Sequence, residues 1–247
     1  MTDITILKVG GAIVETPESL EQLLDRFASI EGPKVLIHGG GRSATKMASR
    51  LGIETRMVDG RRVTDAAMLD VVTMVYGGLV NKRIVARLQA RGVNALGLCG
   101  ADMNILRAHK RTGAVVDYGF VGDVDDVDGK TLQGLLDEGV VPVIAPLTHD
   151  GRGQLLNTNA DTIAAETAKA LVPFFGVRLI YYFEKRGVLL NPDDDESLIC
   201  EIGHADFERL MSEGIVSDGM IPKLQNAFDA LAKGISKVFI NETEIKP

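Results

Sequence analysis

The sequence contains no tryptophan, and aromatic residues make up only 5% of its 247 positions. Platforms for stacking nucleic-acid bases are therefore scarce. Positive charge is not in excess either: 27 Lys and Arg face 34 Asp and Glu, for a formal net charge of −7. That balance argues against a basic nucleic-acid footprint, although a few lysines gathered in a cleft for a small anion would not register in it. The two cysteines, Cys99 and Cys200, are too few and too far apart for a disulfide framework or a Cys-x-x-Cys site. They read as free thiols in a reducing compartment. No apolar run approaches the roughly 20 residues that span a bilayer, and no secretory signal is read ahead of the first strand. A cytoplasmic protein with no membrane and no nucleic-acid partner is expected. His38, His109, His149 and His204 lack metal-ligand spacing. A nucleophile elbow, a Gly-x-Gly-x-x-Gly fingerprint, a Walker-type loop and the protein-kinase motifs are missing as well.

What the chain does have is glycine at two strand ends. An apolar run over residues 4–9 leads into Lys8-Val9-Gly10-Gly11, and another over Lys34–His38 leads into Gly39-Gly40-Gly41. Glycine there lets the backbone approach an oxyanion and point N–H groups at it, and a following helix adds the positive end of its dipole. Two such loops, one with a lysine, suggest a site that holds a phosphoryl group from two sides. Leu20, Leu23, Leu24 and Phe27 follow Thr16-Pro17 at helical spacing, and Ala44, Met47, Ala48 and Leu51 do the same ahead of Gly52. Thr64 is read as the cap of a long helix reaching about Ala90 and interrupted at Gly77-Gly78. Further strands are read at 93–98, 140–145, 178–183 and, last, Lys237–Ile240, with Pro142 marking an edge or a strand start. A β-hairpin is read around Arg111-Thr112-Gly113, and helices at 132–137, 159–171, 207–213 and 223–233. Strand–loop–helix succession of this kind predicts an α/β fold with a mostly parallel sheet. Two lobes, if present, would share that sheet, with a boundary near residues 173–176.

Several residues stand out as chemistry-bearing. Lys8 ends a buried strand beside glycines, a place suited to a phosphate contact. Lys223, after Asp218-Gly219-Met220-Ile221-Pro222, falls in a helix's first turn, where the dipole opposes its charge. It reads either as a solvated surface lysine or as part of an anion site that offsets this cost. Asn157-Thr158-Asn159-Ala160-Asp161 also supports two readings. Asn159 caps a helix with Asp161 in its first turn, or Asp161 fixes neighbouring lysines while an Asn bonds a carboxylate substrate. Gly60-Arg61-Arg62-Val63-Thr64 offers a guanidinium for bidentate carboxylate binding.

Taken in order, Lys8-Val9-Gly10-Gly11, His38-Gly39-Gly40-Gly41, Gly60-Arg61-Arg62-Val63-Thr64, Phe120-Val121-Gly122-Asp123-Val124, Pro142-Val143-Ile144-Ala145-Pro146, Leu156-Asn157-Thr158-Asn159-Ala160-Asp161 and Asp218-Gly219-Met220-Ile221-Pro222-Lys223 resemble the amino acid kinase family over nearly the whole chain. Within it, the Arg-Val-Thr and Asn-x-Asn-Ala-Asp pair is similar to the branch that acts on N-acylated glutamate. The resemblance implies a three-layer α/β/α sandwich around a mainly parallel, roughly eight-stranded sheet. It implies an acylglutamate-binding lobe over 1–174, with a dimerisation helix, and a nucleotide-binding lobe over 175–247. The implied activity is ATP-dependent phosphorylation of the γ-carboxylate of N-acetyl-L-glutamate, or a close N-acyl relative, to the acyl phosphate, the second step of arginine biosynthesis. By the same resemblance Lys8 and Lys223 stabilise charge on the transferring phosphoryl group and Asp161 organises them. Gly40, Gly41, Arg62 and Asn157 hold the substrate. Gly10, Gly11, Glu184, Lys185, Arg186, Gly187, Val188, Leu189, Ile215, Val216 and Ser217 hold the nucleotide. Mg²⁺ would travel on the ATP phosphates, with no metal site on the protein.

Three departures from the family pattern go with it. The segment Glu184-Lys185-Arg186-Gly187 stands where Asp-Val-x-Gly is common. No further strand is read after Lys237–Ile240. No helix is read before the first strand, so a homodimer not inhibited by arginine through such a helix is expected. An N-succinylglutamate kinase, another amino acid kinase and a non-catalytic small-molecule sensor remain open at this point.

Overall fold

The computed structural model describes the chain except for residues 59, 114, 192 and 217–219. Short apolar runs become strands and amphipathic stretches become helices. The N-terminal part comprises β1 (Asp3–Val9), α1 (Gly11–Glu15), α2 (Pro17–Ser29), β2 (Lys34–His38), α3 (Gly41–Arg50), β3 (Met57–Val58) and β4 (Arg61–Arg62). Next come α4 (Ala66–Val72), a π-helical stretch (Thr73–Val80), α5 (Asn81–Gln89), β5 (Ala95–Leu98), β6 (Leu106–Lys110), β7 (Gly122–Val127) and α6 (Gly129–Asp137). They lead to β8 (Val141–Ile144), β9 (Leu147–His149), β10 (Leu155–Asn157), α7 (Ala160–Leu171) and β11 (Gly176–Tyr182). The chain finishes with β12 (Glu201–Ile202), α8 (His204–Ser212), α9 (Ile221–Ala232), β13 (Lys237–Ile240) and β14 (Thr243–Ile245).

Eight strands form one sheet in the order β12-β14-β13-β11-β1-β2-β8-β5. Every neighbouring pair in it is parallel except β13 with β14. Parallel strands are buried on both faces, and alternation along β1 serves two cores. Ile4 and Ile6 join the layer of α6, α7, α8 and α9, whereas Leu7 and Val9 join the layer of α1 to α5. The three-layer α/β/α sandwich expected from the sequence is thus present. Leu20, Leu23, Leu24 and Phe27 of α2 are all buried, each worth about 1.5–3 kcal/mol relative to exposure. A smaller sheet, β10-β9-β6-β7, contains the expected hairpin; a bridge at Thr64–Gly119 binds its loop to the segment before α4, and one at Val121–Asn157 binds it to β10. No helix among the described residues is long and apolar enough to cross a membrane.

Three local readings need correction, and one beside them holds. The cap of α4 is Asp65, whose side chain accepts from the Met68 N–H at 2.8 Å. Thr64 is instead buried and donates to the Arg62 carbonyl. Gly77-Gly78 does not interrupt the long helix, because the turns widen to a π-helix there and continue into α5. The strand-start reading of Pro142 holds: it is the second residue of β8, and pairing with β2 begins only at Val143, which spares the missing N–H. Finally, Lys237–Ile240 is not the last strand: β14 follows and pairs with both β13 and β12.

Candidate active site

The site starts at the end of β1. Lys8 shares the face of Ile6, so its side chain passes into the α7 layer, and there its ammonium lies 2.7 Å from Asp161 Oδ1. Asp161 occupies the first turn of α7, where a negative charge complements the dipole, and its N–H donates to Asn159 Oδ1 at 2.7 Å. Asn159 thus caps α7, and Asp161 in its first turn is paired with Lys8. Lys223 lies in the first turn of α9. Burial, then the charge of Lys8, pushes its ammonium below the usual lysine range, while Asp161 and Glu184 act in the opposite direction. Both lysines face one aromatic ring, that of Phe183: Lys8 Nζ is 4.8 Å and Lys223 Nζ 3.8 Å from its centroid.

The two glycine loops do not face each other across a phosphate. They pack backbone against backbone: a Cβ on Gly39 would lie 3.2 Å from the Gly11 nitrogen, and one on Gly11 3.7 Å from the nitrogens of Gly40 and Gly41. Gly11 and Gly41 open α1 and α3, where first-turn N–H groups lack intrahelical acceptors. Gly10 differs, since its N–H donates to the Tyr182 carbonyl at 3.0 Å and is engaged.

This packed wall divides one cleft into two chambers that share Gly39, Gly40, Gly41, Gly60 and Asp161 as lining. The larger, of ≈ 500 Å³, is bounded by Lys8, Gly11, Phe183, Glu184, Lys185 and Lys223. The smaller, of ≈ 200 Å³, is bounded by Arg61, Arg62, Tyr76, Val121 and Asn157. Arg62 is buried, and its guanidinium donates to the Gly41 carbonyl (2.8 Å), Thr45 Oγ1 (2.9 Å) and Thr55 Oγ1 (3.4 Å). Those acceptors are neutral, so a buried cation is held ready for an anion. Burial pushes the Tyr76 hydroxyl up, opposed by the charge of Arg62. Asn157, which also lines this chamber, donates from Nδ2 to Thr64 Oγ1 at 2.9 Å.

Not every expected nucleotide residue reaches the larger chamber with its side chain. Gly187 lines it, as do Glu184 and Lys185. Arg186 is instead drawn to Glu242 (2.8 Å) and Glu196 (3.6 Å). Val188 and Leu189 are buried, and the Val188 N–H donates to Thr243 Oγ1. Val216 is in the core and Ile215 packs on it, because both fold back on the end of α8, their N–H groups donating to the Leu210 carbonyl. Ser217 and the Asp218-Gly219 pair lie outside the described residues. The sequence reading missed Phe183, Tyr76 and Asn241. The one local signal was asparagine directly after a strand, a residue that tolerates the left-handed backbone, and Asn241 adopts φ 49°.

A model of the amino acid kinase family matches residues 3–241. The chain belongs to the amino acid kinase family. It is 64% identical over 237 residues to a Bacteroides fragilis protein named acetylglutamate kinase, covering 96% of this chain and 91% of that one. A Parabacteroides distasonis protein of the same name is 61% identical over 242 residues, covering 98% and 95%. Among solved structures, that of smu.665 from Streptococcus mutans UA159 superposes with a TM-score of 0.79 at 25% identity, covering 100% of this chain and 99% of that one. In this amino acid kinase the family's lysine–glycine element and its asparagine–aspartate element meet at the Lys8–Asp161 pair.

Proposed function

We propose that this chain is an acetylglutamate kinase, which transfers the γ-phosphoryl group of ATP to the γ-carboxylate of N-acetyl-L-glutamate and so serves arginine biosynthesis. The observation that carries the reading is the divided cleft. A chamber with two lysines adjoins, across a wall of glycine backbone, a chamber with a buried arginine. Such a cleft suits two anionic reactants brought end to end.

The donor set fits the nucleotide. Lys8, Lys223 and the first-turn N–H groups behind Gly11 and Gly41 offer positive charge and open donors, and a side chain on Gly39 would close the space between the loops. ATP supplies the electrophilic phosphoryl group. The attacking carboxylate is already an anion and needs no general base, so catalysis reduces to positioning and charge neutralisation. Arg62 holds the α-carboxylate and Asn157 the acylated amino group. The glycine wall aligns the γ-carboxylate with the phosphoryl group. Lys8 and Lys223 stabilise the charge that develops on its oxygens, and Asp161 keeps Lys8 aimed. Mg²⁺ would travel on the ATP phosphates and supply further charge neutralisation there. On this reading residues 1–174 bind the amino acid and 175–247 the nucleotide. The enzyme is a cytoplasmic homodimer whose long helix, with Met74 exposed on the π-helical stretch, lies at the interface.

Trapping the acyl phosphate with hydroxylamine, alongside ADP release, tests the activity on N-acetylglutamate, N-succinylglutamate, glutamate and aspartate. Turnover is expected with N-acetylglutamate and not with the free amino acids. Inactivity on both acylated substrates would sink the reading. Lys8→Ala should lower kcat by about 10²–10³, the scale for one lost transition-state donor, and near-normal turnover would remove Lys8 from the mechanism.

A further inference from the structure

Phe183 follows β11 directly and lines the larger chamber. Its ring lies 4.8 Å from Lys8 Nζ and 3.8 Å from Lys223 Nζ. An aromatic face attracts an ammonium through its quadrupole without neutralising it or taking its protons as an acceptor. A carboxylate at this position would bind both ammonium groups tightly and compete with an incoming phosphoryl oxygen. Without any partner, two lysines sharing a half-buried chamber would repel each other. Asp161 already pairs with Lys8, and the ring adds an attraction that reaches both ammonium groups without bringing a second carboxylate to the chamber.

Two separate features fix where the ring stands. The Phe183 N–H donates to Asn241 Oδ1 at 2.7 Å, and Asn241 Nδ2 donates back to the Phe183 carbonyl at 2.9 Å. Asn241 holds a left-handed backbone (φ 49°) between β13 and β14, so the end of the sheet reaches in to clamp residue 183. Gly10 supplies the space: a Cβ there would meet Phe183 Cδ1 at 3.3 Å, tighter than an ordinary contact. Gly10, whose N–H is already engaged by Tyr182, thus serves the ring.

We propose that Phe183 is a positioning residue for phosphoryl transfer, its clamped ring holding Lys8 and Lys223 as two separate cations at the transfer point. The inference rests on reading the cleft as a kinase site. Fluorination of the ring drains its face of negative potential at nearly constant shape. The test therefore replaces Phe183 with mono-, di- and trifluorophenylalanine in the full chain. It reads kcat, the KM values for ATP and N-acetylglutamate, and the Lys223 ammonium titration by NMR. The charged groups facing Lys223 are Lys8 from β1, Asp161 from α7 and Glu184 after β11, and the series alters none of them. The expected outcome is a stepwise fall in kcat, about five- to tenfold by the trifluoro ring, with the KM for N-acetylglutamate unchanged and the Lys223 titration moving to lower pH in step. A flat kcat and a flat titration would overturn the proposal, as would an effect confined to the KM for ATP, which would make the ring a nucleotide contact. If the parent protein proves inactive on acylated glutamate, the functional reading falls, and the lysine titration alone still decides whether the ring holds the cations.

Discussion

His38 sits next to the glycine wall, wholly buried. Its Nδ1 lies 2.8 Å from the Gly39 carbonyl and its Nε2 3.2 Å from Asn81 Nδ2. Asn81 Nδ2 can only donate, so Nε2 accepts and the single ring proton is on Nδ1, donated to Gly39. This neutral tautomer fixes the first carbonyl of the loop that separates the two chambers. Burial holds the imidazole at about 4, with the charge of Lys82 adding to the effect and the Gly39 hydrogen bond opposing it. The unfolded chain titrates near 6.5. Below that pH the unfolded state takes up a proton that the folded state refuses, so stability falls as pH drops from about 6.5 toward 4 and then levels off. Between pH 7 and pH 5 the native protein should lose roughly 2 kcal/mol more than a His38→Gln variant. Urea midpoints at the two pH values measure it, and parallel losses would mean that His38 charges readily in the fold.

At the scale of elements, the proposed mechanism makes the start of α7 a place where stability and catalysis meet. Asn159 Oδ1 accepts from the N–H groups of Asp161 (2.7 Å) and Thr162 (3.1 Å), so one side chain both caps the helix and fixes the backbone of the residue that aims Lys8. Asn159→Ala should cost about 1 kcal/mol of stability and also lower kcat. Asp128→Ala, which removes a comparable cap from α6, should cost similar stability and leave kcat near normal. Equal kcat values in the two variants would show that the cap does not aim Asp161. This start was legible in the sequence because its signals are local: Asn, then Asp two residues on, then apolar residues at helical spacing. So were β1, β2 and the four buried positions of α2. Where local signals compete, the reading slipped by a residue or an element. Thr64 and Asp65 are both competent caps, and only the demand of Arg62 and Asn157 on Thr64 decides between them. Three residues at Thr243–Ile245 carry no periodicity, and they become a strand through pairing with β12 and β13. Phe183 was least legible. Its neighbours Lys8, Lys223 and Asn241 are distant in sequence, and it reads locally as the last apolar residue of a strand.

For the whole molecule, the question is whether the proposed division into 1–174 and 175–247 is also a division of stability. β1 and β11 fall on opposite sides of it, yet they pair in register from Asp3↔Gly176 through Val9↔Tyr182. Ile6 and Ile163 on one side share a buried cluster with Leu179, Leu224 and Phe228 on the other. A boundary that cuts a ladder and a core exposes both when it opens, which links the two halves into one cooperative unit. Calorimetry should therefore show one transition, with calorimetric and van't Hoff enthalpies in agreement. Ligand linkage sharpens the test. ADP with Mg²⁺ at about 100 times its Kd should stabilise the fold by ~2.7 kcal/mol and move that single transition as a whole, although its chamber is walled partly by the second half alone. A second transition that the nucleotide moves by itself would show the two lobes to be separate folding units that meet at the site through contacts such as those of Phe183 with Lys8 and Gly10.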